Sequence, residues 1–282
     1  QKQKRVLALK AAGHTVAMTG DGVNDILAMR DSDCGIAMAS GSEAVSQAAK
    51  VVLMDSDFAN MPRVVAEGRR VVNNIQRSAS LFLVKNIFSL LLSIMASVFM
   101  LSYPLEPAHI SLISMFTIGF PGFLLALESN KNRIDGHFLR NVLIRALPAG
   151  LTDAVIVGSL AIFGKVFSLP RDDVATASTL VLSFVGFMIL HRISVPFNKY
   201  RRGVFLVNLA GITLSFLFIP HFFSIVRIPA TSVQLTIIFS LAAESLFRLL
   251  TIVIDNGGTV LKRRAAAVKR KNGRYKGRRK TG

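Results

Sequence analysis

Two groups of residues in this chain have types and spacings that could do chemistry. The first is Thr19-Gly20-Asp21-Gly22-Val23-Asn24-Asp25, set between an apolar run and the helical pattern ILAMRDS. Gly20 and Gly22 suit a tight turn and close approach of the backbone to an anion. Asp21 and Asp25 are two hard oxygen donors of the kind that hold Mg²⁺ between a carboxylate and a phosphate. Asn24 can donate to a phosphoryl oxygen without adding charge. The competing reading is a plain Gly/Asp/Asn turn with no ligand. The second group lies in apolar surroundings. Lys85, Ser89, Ser93 and Ser97 recur every fourth residue with Asn86 beside the first, and Ser111, Ser114 and Thr117 recur every third ahead of Gly119-Phe120-Pro121-Gly122. Four-residue spacing lines one helix face. Pro121 lacks an amide hydrogen and frees nearby carbonyls, which inside a bilayer are tolerated where they line a cavity or meet a cation. Serines packing between helices, a snorkelling Lys85 and a simple proline kink are the alternatives.

The elements that must position these groups can be read from periodicity. Lys4 to Ala11 reads as a short amphipathic helix and His14 to Met18 as a strand. A second apolar pulse at Cys34 to Met38, a helix at Ser40 to Ala49 and a third strand-like run at Lys50 to Met54 follow. Strand alternating with helix implies a parallel sheet with crossovers, and ligands then sit beyond the carboxyl ends of the strands, where TGDGVND falls. From Met61 to Leu101 a basic, polar stretch runs without an internal break into an apolar one, with Pro62 in the first turn; this predicts one long helix. Apolar runs at about 81–101, 108–127, 147–168, 174–195, 203–222 and 232–254 are each long enough to cross a bilayer.

The loop TGDGVND, then DSDCGIAMASGSEAVSQAAKVVLMD and EGRRVVNNI leading into a span, resembles the hinge motif, the end of the phosphorylation domain and the stalk of P-type cation-transporting ATPases. These are pumps of the haloacid-dehalogenase superfamily, and the likeness is to their bacterial, calcium-type branch and covers Gln1 to about Asn256. It implies a mixed fold: a partial α/β, HAD-like, Rossmannoid cytoplasmic lobe joined by a long stalk helix to an all-α bundle of six transmembrane helices. The implied divisions are 1–57 for the carboxy-terminal part of the phosphorylation domain, 58–80 for the stalk, 81–256 for family helices five to ten and 257–282 for a basic cytoplasmic tail.

The resemblance makes Asp21 the Mg²⁺ ligand, with Asp25 and Asn24 supporting metal and phosphoryl group, Gly20 and Gly22 lining the loop, and Lys2 neutralising the phosphoryl group. Mg²⁺ is the implied cofactor and ATP the implied substrate. It also places the transported cation near Asn86, Ser89, Ser114 and Thr117, with Lys85 beside them. The calcium-pump pattern N-x-x-T-D-G-x-P is altered: Ser114 and Ile118 occupy its Asn and Asp positions, and Ser89 replaces a glutamate. Two carboxylates are missing and a lysine is added, so two bound calcium ions are not expected; calcium remains the leading ion. The phosphorylated aspartate of a DKTG motif does not occur among these residues, so this chain alone is not expected to hydrolyse ATP. The runner-up is a non-catalytic, membrane-anchored lobe that binds Mg²⁺ or a partner.

Charge and composition bound the remainder. The formal charge of +18 suggests nucleic acid, but more than half of it lies after Leu261, and the other basic residues cluster in alternate connections between spans. That pattern follows membrane topology, puts both termini in the cytoplasm of a multi-pass plasma-membrane protein, and argues against nucleic acid. The polar tail, predicted to follow a helix end at Asn256-Gly257-Gly258, suits anionic lipid headgroups. A single cysteine, Cys34, excludes an internal disulfide. No obligate protein partner is evident. Asp153, near a span boundary, is expected to be wetted, Glu244 to pair with Arg248, and His109 to be interfacial. The opening QKQKRVLALK, without Met, suggests a piece of a longer protein.

Overall fold

The computed structural model describes residues 1–134 and 137–278, with side chains described up to Gly257. The chain separates into two compact units, Gln1–Gly68 and Arg69–Gly282.

The first unit is α/β. Helix α1 (Lys2–Ala11) ends at Gly13, whose φ of +88° a side chain rarely adopts. Strands β1 (Ala17–Gly20), β2 (Cys34–Met38) and β3 (Val51–Leu53) form a parallel sheet in the order β1-β2-β3, with Ala17 opposite Cys34 and Ile36 opposite Val51. Helices α2 (Ile26–Asp31) and α3 (Glu43–Ala48) are the crossovers. Met29, Ala37 and Val45 are buried together between helices and sheet, with Met18, Ile26 and Val52 packed against them. At about 1.5–3 kcal/mol for each large side chain removed from water, this small cluster is what the alternating pattern contributes. Strand β1 starts at Ala17, three residues later than predicted. His14 is spent on closing α1, donating its amide to Leu9, while the Val16 amide goes to the Asp33 carboxylate and its carbonyl to Asp33 and Cys34.

The second unit is helical. Helix α4 (Met61–Val98), whose first residues fall in the first unit, is unbroken, as the run without internal proline predicts. Helix α5 (Pro107–Ser114), a π-helical turn (Met115–Gly119) and α6 (Phe120–Ala126) form the next span, followed by α7 (Phe138–Val166), α8 (Arg171–Ser194), α9 (Lys199–Phe218) and α10 (Ala230–Arg278). Among the described residues, six helices are long and apolar enough to cross a membrane, the number counted from sequence. Leu81, Leu112, Val181, Val185 and Leu190 are fully buried at their common core.

Three expectations are corrected. Helix α7 begins at Phe138 rather than near residue 147, with Pro148 inside it; the Thr152 hydroxyl donates to the Pro148 carbonyl at 2.7 Å, a side-chain bond that helps a proline be accommodated in such a helix. Asp153 therefore sits near the middle of a 29-residue helix and is buried, not wetted. Helix α10 does not stop at Asn256-Gly257-Gly258 but runs to Arg278. Two glycines cost about 1 kcal/mol each against alanine, and the Leu-Lys-Arg-Arg-Ala-Ala-Ala that follows is strongly helix-forming. The expectation that the tail meets anionic lipid concerns side chains outside the described residues.

Candidate functional site

In the first unit, β1 ends at Gly20, so Asp21 is the first residue beyond its carboxyl edge. A Cβ at Gly20 would lie 2.6 Å from that of Asp25, so only glycine lets the strand end pass over the Val23–Asp25 turn. The Ser42 amide donates to the Asp21 carbonyl at 3.2 Å, tying the β1 loop to the one after β2. Asp25 is buried, and both its oxygens accept from the Lys2 ammonium, at 2.7 and 3.0 Å. The sequence-predicted residues Lys2, Asp25, Gly20 and Asp21 are thus brought to one edge of the sheet. Asp21 and Asn24 are exposed, and neither side chain has a hydrogen bond or ion pair among the described residues.

The expected shared metal role of Asp21 and Asp25 divides here. Asp25 already holds a cation, the Lys2 ammonium, whereas Asp21 is a free carboxylate. Gly22 is extended, at φ −108° and ψ 153°, a conformation open to any residue, and a Cβ there would meet nothing within 4 Å. Space in front of Gly22, rather than a tight turn, is what that residue provides. No group of three or more acidic, His or Cys side chains suited to a metal occurs among the described residues. One exposed carboxylate in open space suits Mg²⁺, which binds through one or two carboxylates plus phosphate and water.

In the second unit, Lys85, Ser89, Ser114 and Thr117 line one cavity of about 40 Å³, room for a few water molecules or one partly hydrated ion. The π-helical turn contributes Thr117, whose hydroxyl donates back to the Ile113 carbonyl at 2.7 Å. A π-helical turn ahead of Pro121 is the structural form of the backbone disturbance read from sequence. Helix α8 closes on this turn at Gly186, where a Cβ would lie 2.6 Å from the Thr117 side chain. Helix α7 closes on α4 at Gly150, where it would lie 2.7 Å from Ile87. Asn86, expected beside the cation, is exposed and does not line the cavity; one residue along a helix turns it about 100° from Lys85. Ser93 and Ser97 are exposed, their hydroxyls bonded to the carbonyls four residues back. The cavity has one lining carboxylate that sequence reasoning did not assign to it, Asp153.

Two other polar residues of the spans have partners within the protein. Glu244 pairs with Arg248, as expected. His109, near the start of its span, is buried within the protein, accepting the Glu106 amide at Nδ1 and meeting the Ser224 carbonyl at Nε2, 3.0 Å away. Sequence reading missed a buried charge cluster: Glu128 accepts from Arg77 at 2.6 Å, from Arg201 Nε at 2.9 Å and from Asn198 at 2.7 Å. Burial alone would raise the Glu128 carboxyl, but the bonds from Arg201, Arg77 and Asn198 outweigh it and hold it below the usual carboxylate range. Around it, Asn74 and Tyr200 donate to the Ala126 and Leu124 carbonyls at the end of α6, at 2.7 Å each. The separation of Glu128 from its two arginines, 51 and 73 residues, left no local signal.

Residues 4–59 match the family of haloacid dehalogenase-like hydrolases. The chain is 39% identical over 226 residues to the probable cation-transporting ATPase exp7 of Streptococcus pneumoniae, covering 77% of this chain and 29% of that protein. It is 41% identical over 215 residues to the calcium-transporting ATPase CtpE of Mycolicibacterium smegmatis, covering 71% of this chain and 27% of that one. It is 34% identical over 195 residues to the human calcium-transporting ATPase type 2C member 2, covering 66% and 20%. With six membrane-length helices among the described residues, the chain is a multi-pass membrane protein carrying a haloacid-dehalogenase-like domain. More narrowly, it belongs to the P-type cation-transporting ATPases, and it spans under three tenths of the length of these relatives.

Proposed function

We propose that the gene product carrying this chain translocates an inorganic cation across the cell membrane, driven by ATP through a phospho-aspartate outside these residues. The observation that carries the reading is the coincidence, in one chain, of a free carboxylate at the end of a parallel strand and a small, mostly apolar cavity at an interrupted span into which a few polar side chains are set. In this reading Asp21 holds Mg²⁺, which when bound neutralises phosphoryl charge as a Lewis acid. Lys2 presents a second positive charge at the same edge and is oriented by Asp25. Asn24 can donate to a phosphoryl oxygen. Helix α4 is the stalk, and Lys85, Ser89, Ser114 and Thr117 face the ion. Calcium is the leading ion, because relatives at about 40% identity are named calcium-transporting ATPases. The termini are assigned to the cytoplasm by the alternation of basic connections.

The test is ATP hydrolysis by the gene product in vesicles, screened across Ca²⁺, Mg²⁺, Mn²⁺, K⁺ and Na⁺. Stimulation by one ion with its uptake into the vesicle is the expected result. Asp21→Ala should lower phosphoenzyme formation at least about 100-fold, the scale on which removal of an electrostatic partner at a reacting centre acts. Unchanged Mg²⁺-dependent phosphorylation would remove Asp21 from the metal role.

A further inference from the structure

We infer that Asp153, on α7, is the carboxylate that receives the transported cation; this rests on the transport reading above. Asp153 is 5% exposed, and its Oδ1 is buried with no hydrogen-bond partner. An acceptor left bare in the interior costs more than one that is paired, and a bare carboxylate costs most of all. Its side chain lines the same cavity as Lys85, Ser89, Ser114 and Thr117, and it is the one acidic residue among the lining. Lys85 is the one basic residue there, and it makes no ion pair or hydrogen bond among the described residues. The cavity thus holds a buried carboxyl with an unpartnered oxygen and a half-buried lysine without an ion pair, within a space too small for much water.

The geometry around Asp153 is built rather than incidental. Gly150, one turn before it, lets α7 approach Ile87 and the Val84 carbonyl of α4. Opposite, Gly186 lets α8 close on Thr117. The three hydroxyls supply neutral oxygen donors, and Asp153 supplies the charge that a cation requires on leaving water. Lys85 is then a competitor: its ammonium lowers the affinity for any other cation in the same cavity and favours release.

The experiment is equilibrium binding of ⁴⁵Ca²⁺ to the gene product in lipid nanodiscs, with Mn²⁺, Na⁺ and K⁺ as competitors. Asp153→Asn should weaken binding at least about 30-fold, whereas Asp172→Asn, an exposed acid at the start of α8, should leave it unchanged. Lys85→Met should tighten binding about tenfold by removing a like charge, and that gain should vanish in the Asp153→Asn background. If the wild type binds an ion and Asp153→Asn binds it within twofold, Asp153 is a packing residue and the inference fails while the transport reading stands. If the wild type binds none of the four ions, both fail. Should Asp153→Asn not fold, Lys85→Met alone decides, and unchanged affinity overturns the inference.

Discussion

Two of the charge clusters among the described residues are built on opposite terms. In the first unit, Asp25 is 7% exposed at its side chain but its partner Lys2 is 63% exposed. In the second, Arg77, Glu128 and Arg201 are 8%, 11% and 9% exposed, so both signs of charge have been taken out of water. A pair with one wet member can be remade, because water or another anion can take over the exposed ammonium at little cost. A wholly buried cluster cannot: removing one member leaves an uncompensated charge inside. The first arrangement suits a lysine that must exchange partners during a reaction. The second suits an anchor, and it ties together the starts of two spans and the end of a third.

The largest effect should come from breaking the anchor. Glu128→Ala leaves two buried guanidinium groups facing each other and should cost about 3–5 kcal/mol, read as a lowered thermal midpoint in detergent. Acid should act in the same direction. The Glu128 carboxyl titrates below its ordinary value in the folded state, so its contribution is full above the unfolded value and is lost as pH falls through the lowered one. A cost below about 1 kcal/mol would put the cluster on the same footing as Lys2–Asp25 and end the contrast. Next in size is Gly186→Leu, which overfills the approach of α8 to the π-helical turn and should cost about 1–3 kcal/mol. Its effect on ion affinity should be larger than that of a leucine at Gly203, where a Cβ meets nothing within 4 Å.

What the sequence could express depended on how local each feature is. The count of six spans, the unbroken α4 and the parallel alternation of the first unit follow from periodicity and run length, which neighbouring residues determine. Family likeness put Lys2 and Asp25 at one site but not in contact, and 23 residues of intervening chain give no pattern for the ion pair they form. Asp153 was misjudged because Pro148 hides the true start of α7, so a mid-helix acid looked like one near a boundary. Asn86 was placed near the ion by family likeness; it does not line the cavity that Lys85 lines, because successive helical residues face different neighbours. The Glu128 cluster joins three elements distant in sequence and was legible only once they were packed.

The contrast is sharpened by Lys2→Met. Since Lys2 is mostly exposed and screened by water, the loss of folding stability should stay within about 1 kcal/mol, while phosphoenzyme formation should fall much further. A large stability loss with normal phosphorylation would make the pair a structural one.

The smallest expected effect belongs to Asp33, the other acid that organises the first unit. Its Oδ2 accepts the Val16 amide at 2.8 Å and its Oδ1 faces the Lys10 ammonium at 3.2 Å, while Lys50 donates to its carbonyl at 2.9 Å. The Val16 amide first, then Lys10, hold its carboxyl below the ordinary range. The contribution is therefore present above the unfolded value and lost as pH falls through the lowered one. Asp33→Ala removes the acceptor that starts β1 three residues late, so the Val16 amide should exchange faster with solvent deuterium while the Ile36 and Ala37 amides keep their protection. In the wild type the same Val16 amide should lose protection on acidification before the rest of the sheet does. Uniform loss across all three strands would mean that Asp33 holds the whole sheet, and that the exposed charges of this unit matter to its folding as much as the buried ones matter to the spans.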